Sequence, residues 1–159
     1  MNHYRAAVIG CGGQGSHHAN AYTALAETKL VAATDVSLDR ATRFAGLYHT
    51  EKVYSDWREM LRESAPDVIS ICTPAKHHTE IIEGAVKAGV KAILCEKPMA
   101  DTFEAAKRAH HVAQEAGVLL TYCHQRRFEN WYIDARTLLR DGAIGELVSM
   151  EAFCSNLFD

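Results

Sequence analysis

Five short, nearly continuous apolar runs recur along the chain: AAVIG (6 to 10), KLVAAT (29 to 34), DVISICT (67 to 73), KAILC (91 to 95) and VLLTYC (118 to 123). Runs of this kind read as strands of a sheet covered on both faces. Between them lie longer stretches whose apolar residues fall three or four apart, as Phe103, Ala106, Ala109, Val112 and Ala113 do, and these read as helices packed through one face. Strands joined through helices run parallel, so the pattern predicts a doubly wound α/β domain.

Helix punctuation agrees with this reading. Thr102 or Asp101 is placed to cap the helix that begins FEAAKRAHHVAQEAG, and Ser55 or Asp56 the short helix of YSDWREMLRES. Gly89 and Gly117 stand where helices should stop, and Pro66 precedes the strand at 67 to 73. A further helix is expected from about Glu129 to Arg140, followed by a turn in DGAIGEL and one alternating strand from Leu147 to Phe153. That strand has no later one to pair with, so it reads as the start of a second domain, and an unpaired apolar edge of this kind invites self-association. The expected division is therefore a domain over 1 to 145 and a first strand of another over 146 to 159.

Composition narrows the function classes. A chain of 159 residues supports one core, and 48% hydrophobic against 23% charged residues describes a globular chain rather than a disordered one. Seventeen basic and twenty acidic residues leave a net charge of -3 with no basic stripe, which argues against nucleic acid as a partner. No apolar run approaches the length of a membrane span and the N-terminus lacks a secretory leader pattern, so a cytoplasmic location without membrane association is expected. Five cysteines without a C-x-x-C pair suit reduced thiols better than disulfides or structural zinc.

The first candidate site comes directly after the first strand. In AAVIGCGGQGSHH, Gly10, Gly12 and Gly15 have G-x-G-x-x-G spacing between a strand and a helix, and Asp35 follows Gly15 by twenty residues at the end of the second apolar run. This is the context a dinucleotide fingerprint requires. Gly10 permits a tight turn, Gly12 lets backbone approach a pyrophosphate, and Gly15 lets helix and strand pack closely. The loop residues Cys11, Gly13 and Gln14 contribute backbone N–H groups at the positive end of the helix. Asp35 suits ribose hydroxyls and repels a 2′-phosphate, which favours NAD, while Arg40 five residues on leaves NADP open. A glycine-rich turn followed by an N-capping Asp is the alternative.

The second candidate site gathers at other strand ends: CTPAKHH (72 to 78), CEKP (95 to 98) and CHQRRF (123 to 128). In a parallel sheet the loops after the carboxyl ends line the ligand crevice, so these segments should converge on the glycine loop. Glu96, Lys97 and Pro98 would then stand at the nicotinamide end of a dinucleotide.

Taken together, GCGGQG, DVISICTPAKHH, ILCEKPMA, QRRF and DGAIGELVSM, in this order and spacing, resemble the N-terminal Rossmann-type domain of the glucose-fructose oxidoreductase, inositol dehydrogenase and MocA family of NAD(P)-dependent oxidoreductases. The resemblance covers residues 4 to 153, with E-K-P as its most specific element. It implies hydride transfer between nicotinamide and a hydroxyl or carbonyl of a sugar, cyclitol or related compound. Lys97 matches the family's reaction-centre lysine, which binds the reacting oxygen and helps move its proton, a role an ammonium can fill by stabilising alkoxide charge.

The resemblance also makes a cis Lys97-Pro98 bond plausible. It sets Thr73, Pro74 and His78 beside the dinucleotide, whereas Ala75 replaces a frequent asparagine. Glu96 is open to a cofactor ribose, the Lys97 ammonium or a structural ion pair. Of Gln125, Arg126 and Arg127, Arg126 is preferred for a cofactor or substrate contact, with Gln125 beside it. His18 matches a common family histidine for which packing or capping is expected.

No metal site is expected, because the adjacent His77 and His78 point apart. Cys11, Cys72, Cys95 and Cys123 all fall at strand ends and should cluster, with packing the expected role and cofactor-protected reactivity the functional one. Family members that resemble this chain continue into a second α/β domain that supplies most of the substrate pocket and the oligomer interface, so this chain reads as the cofactor half, inactive or weakly active alone. A dinucleotide sensor or regulatory module on the same architecture is the alternative.

Overall fold

A computed structural model describes residues 3–153. All five apolar runs form strands: β1 (Tyr4–Ile9), β2 (Thr28–Thr34), β4 (Val68–Ile71), β5 (Ala92–Cys95) and β6 (Leu119–Tyr122). A sixth, β3 (Lys52–Tyr54), escaped the sequence reading because three residues at a sheet edge carry too little pattern to register. The helices are α1 (Gly13–Ala24), α2 (Leu38–Tyr48), α3 (Trp57–Ser64), α4 (His78–Lys87), α5 (Phe103–Glu115) and α6 (Asn130–Arg140). Strand order is β3-β2-β1-β4-β5-β6 with every pair parallel, so the chain starts at the centre, winds outward to β3, then crosses β1 to build the other half. The order changes direction between β1 and β4, and their carboxyl ends open the crevice.

The central strand explains why the apolar runs lack polar alternation. Ala6 and Val8 of β1 pack into one cluster with Ala19 and Tyr22 of α1 and Ala41 and Phe44 of α2. Ala7 and Ile9 point the other way, into a cluster with Met60 and Leu61 of α3, Ile81 and Ile82 of α4 and Ala109 of α5. Both faces being covered, each residue of the strand core must be apolar.

Local signals set the helix ends. Asp56 and Thr102 are the caps, each accepting a backbone N–H of the first turn. Gly89 and Gly117 adopt φ of 82° and 68°, the left-handed geometry that ends α4 and α5.

The chain divides into two compact units, 1–123 and 124–159. α6, which buries none of its side chains, belongs to the second unit. The second unit holds a 3-10 turn (Gln125–Phe128), α6 and a turn with left-handed Gly142 and Gly145. The expected strand from Leu147 to Phe153 is not formed. An alternating pattern supplies one face of a strand, but a strand exists only through a hydrogen-bonded neighbour, and these residues have none among those described. Residues 154 to 159 of the expected second domain lie outside the described residues.

Candidate dinucleotide site and reaction centre

The glycine loop is shaped by two close approaches. Gly10 has φ of 99°, and a Cβ there would lie 2.5 Å from the Cys72 carbonyl oxygen, so the end of β1 passes over the end of β4. A Cβ on Gly15 would lie 2.0 Å from the Gly10 carbonyl oxygen, so α1 is pressed onto the turn that precedes it. Gly12 and Gly13 are different: a Cβ on either would meet nothing within 4 Å among the described residues. These two glycines meet no packing demand, and the space before them is open to an anion. The first turn of α1 has no side-chain cap and no acidic residue, so its N–H groups and dipole face that space. Gln14 lies exposed in the same turn.

Asp35 closes the loop from β2. Its buried carboxylate accepts the Cys11 N–H at 3.0 Å and the Ser37 N–H at 2.9 Å. Arg40 donates to it at 3.1 and 3.3 Å, so in this structure the guanidinium that left NADP open lies on Asp35.

At the end of β4, Thr73 and Pro74 lead into a 3-10 turn (Ala75–His77). The Thr73 hydroxyl is buried and has no hydrogen-bond partner among the described residues. His78 is fully buried, with Nε2 2.8 Å from the Thr73 carbonyl oxygen and Nδ1 3.0 Å from that of Pro98. Both ring nitrogens are thus engaged by backbone. His78 ties the loop after β4 to the loop after β5.

At the end of β5, Cys95 and Glu96 are buried and Lys97 emerges exposed, followed by a cis bond to Pro98. Glu96 is 4% exposed. One carboxylate oxygen lies 3.1 Å from His18 Nε2, and the other accepts the Lys97 N–H at 3.2 Å. Glu96 therefore makes a structural contact, with a buried histidine. His18 Nδ1 is 2.8 Å from Ser70 Oγ, which also contacts the Tyr22 hydroxyl at 2.9 Å.

This buried polar chain beneath Lys97 was missed in the sequence. Its one signal was His18 three residues after Gly15, on the face of α1 that Gly15 buries. Tyr22, one turn on, and Ser70, inside an apolar run, complete it only once α1 lies across β4.

The four strand-end thiols gather as expected. Burial, reinforced by the charges of neighbouring acids, pushes Cys11 and Cys95 up to about 12, and burial pushes Cys72 higher still, with Glu96 and the other three thiols adding to it. Such thiols hold almost no thiolate near neutral pH, which suits packing more than reactivity. Gln125 and Arg126 lie in the second unit, on its 3-10 turn.

Residues 4–124 match the model of the oxidoreductase family with the NAD-binding Rossmann fold. The chain belongs to this GFO/IDH/MocA family. It is 34% identical over 144 residues to D-glucoside 3-dehydrogenase of Escherichia coli, covering 90% of this chain and 41% of that one. It is likewise 34% identical over 150 residues to scyllo-inositol 2-dehydrogenase (NAD(+)) of Bacillus subtilis, covering 94% and 44%. Among solved structures, scyllo-inositol dehydrogenase of Lactobacillus casei with bound NAD(H) and scyllo-inositol superposes with a TM-score of 0.85 at 26% identity, covering 91% and 43%. The chain thus spans about two fifths of the length of these GFO/IDH/MocA relatives. The open glycines, the uncapped start of α1 and the unpartnered Thr73 hydroxyl fit a dinucleotide of the family's kind. No helix among the described residues is long and apolar enough to cross a membrane.

Proposed function

We propose that this chain is the cofactor-binding half of a dehydrogenase that oxidises a hydroxyl, or reduces the matching carbonyl, of a sugar, cyclitol or related compound. The observation that carries the reading is Lys97, an exposed ammonium at the end of a buried strand, on a backbone anchored by Glu96 and, through Pro98, by His78. A module that only sensed dinucleotide would have no use for it.

Nicotinamide, when bound, supplies the hydride acceptor or donor. The first-turn N–H groups of α1 and the backbone of Gly12 and Gly13 would hold the pyrophosphate. Asp35, already fixing the loop through Cys11, would receive a ribose hydroxyl and favour NAD. The Thr73 hydroxyl and the backbone at Pro74 and Pro98 would border the nicotinamide end. Lys97 would hydrogen-bond the reacting oxygen, lower the cost of alkoxide charge as hydride departs, and carry the hydroxyl proton away.

Calorimetric titration with NAD and, separately, NADP tests the cofactor assignment. NAD is expected to bind more tightly than NADP, with clear weakening in Asp35→Ala and none in Lys97→Ala. Absence of binding by either dinucleotide to the folded chain would overturn it. The role of Lys97 is tested by polyol turnover with this half joined to a substrate domain of the family, which Lys97→Ala should abolish while dinucleotide affinity is unchanged.

A further inference from the structure

The buried polar chain beneath Lys97 ends on a third chemistry-bearing residue. Cys123, immediately after β6, is fixed by its N–H donating to the Cys95 carbonyl oxygen at 2.8 Å. One ligand atom each from His18, Glu96 and Cys123 all lie within 4.8 Å of one another, with His18 and Glu96 buried and Cys123 half-buried. We infer that these three side chains form a binding site for a thiophilic d10 cation, of which Zn2+ is the probe.

Three atoms so close share a point no farther than about 2.8 Å from each, while zinc sits about 2.0 to 2.3 Å from N, O and S ligands, so shifts of under an ångström complete the shell. The donor set is chemically apt. Imidazole, carboxylate and thiolate select a borderline-soft cation over magnesium or calcium, and the two anions balance the dication. Three protein ligands leave a fourth tetrahedral position open.

The outer shell is already present. A ligating histidine needs its other nitrogen held by an acceptor, and His18 Nδ1 meets Ser70 Oγ, itself held by the Tyr22 hydroxyl. Loading would have a definite proton balance. His18 changes tautomer: Nε2 releases the proton it shares with Glu96 and Nδ1 takes one up, so the ring stays neutral and the freed Nε2 lone pair goes to the ion. Nδ1–H then donates to Ser70 Oγ, whose hydroxyl turns toward Tyr22. The Cys123 proton passes to buffer as the sulfur-metal bond forms. The second Glu96 oxygen keeps the Lys97 N–H. Sequence spacing could not announce this site, since its ligands come from α1, the end of β5 and the end of β6.

Cadmium titration of the unmodified chain is expected to give a thiolate-to-metal ultraviolet band that saturates at one equivalent and is displaced by zinc. Cys123→Ser should abolish the band, while Cys72→Ser, a change at a neighbouring thiol, should leave it. Ser70→Ala should weaken zinc about 10- to 100-fold and keep the band. X-ray absorption of the zinc-loaded unmodified chain needs no variant, and should report one sulfur and the remaining ligands nitrogen or oxygen. Sub-stoichiometric binding, a band that survives Cys123→Ser, or a zinc shell with no sulfur or several would overturn the inference.

Discussion

Replacing Gly15 by Ala isolates the packing role of the glycine loop from its ligand role. The new Cβ would sit 2.0 Å from the Gly10 carbonyl oxygen, 3.1 Å from the Gly10 carbonyl carbon and 3.4 Å from a Val8 methyl. The first two contacts are backbone, so no side chain can swing aside. Carbon and oxygen need more than 3 Å, so α1 and the end of β1 must part by over an ångström. Gly10 cannot yield toward β4, because its own Cα faces the Cys72 carbonyl oxygen, so close that a Cβ there would stand 2.5 Å from it. Overpacking of this kind costs about 3 kcal/mol, the upper part of its usual range and a large share of a domain's stability.

Urea unfolding monitored by Trp57 fluorescence reads this cost within the first unit, in a background where the 65% exposed Trp131 of the second unit is changed to Phe. With a slope of about 2 kcal/mol per molar, the midpoint should fall by about 1.5 M. Gly12→Ala is the control. Its Cβ meets nothing within 4 Å, and its φ of -87° suits any residue, so only the modest loss of a worse cap, about 0.5 to 1 kcal/mol, is expected. The same variant should bind NAD poorly, because the methyl occupies space left for pyrophosphate. Equal midpoints for Gly15→Ala and the parent would refute the packing argument. Undiminished NAD binding by Gly12→Ala would refute the ligand argument separately.

The ionisable groups give two further expected outcomes. At pH 8, thiols raised to about 12 hold about one part in 10,000 thiolate, so Cys11 and Cys95, and Cys72 with them, should resist iodoacetamide until the chain is denatured; peptide mapping that finds rapid native-state labelling of Cys72, blocked by NAD, would contradict a packing role. Asp67 is held below the usual carboxylate range by the Lys91 ammonium and then by the Arg5 N–H, so its contribution to stability is present above the unfolded carboxyl value near pH 3.9 and is lost as pH falls through the lower folded value. With Lys91 exposed and Asp67 half-buried the contribution is small, and the stability gap between the parent and Asp67→Asn should close on acidification below about pH 4; a gap that is independent of pH would refute the assignment.

The sequence by itself determined five of the six strands, and the alternation of strands with helices. A strand covered on both faces is apolar at nearly every position, so β1, β2, β4 and β5 were legible as runs, as was the half-exposed β6, and the helices between them as three- and four-residue spacing. Parallel pairing was legible too, because a chain that returns through a helix re-enters the sheet in the same direction. The glycine loop was legible for a related reason: the backbone approaches at Gly10 and Gly15 leave no room for a side chain, and that restriction shows in the letters.

What only the tertiary structure decided is where side chains from distant segments meet. His18 and Glu96 are 78 residues apart, and nothing local distinguishes a histidine that caps a helix from one that holds a carboxylate. His78 is joined in the same way to Pro98, 20 residues on, so that it bridges two loops whose proximity no local pattern announces. β3 and the segment from Leu147 to Phe153 make the same point in opposite senses. Three unremarkable residues became a strand because β2 offered an open edge, and seven well-patterned ones did not, because a strand is a property of a pair.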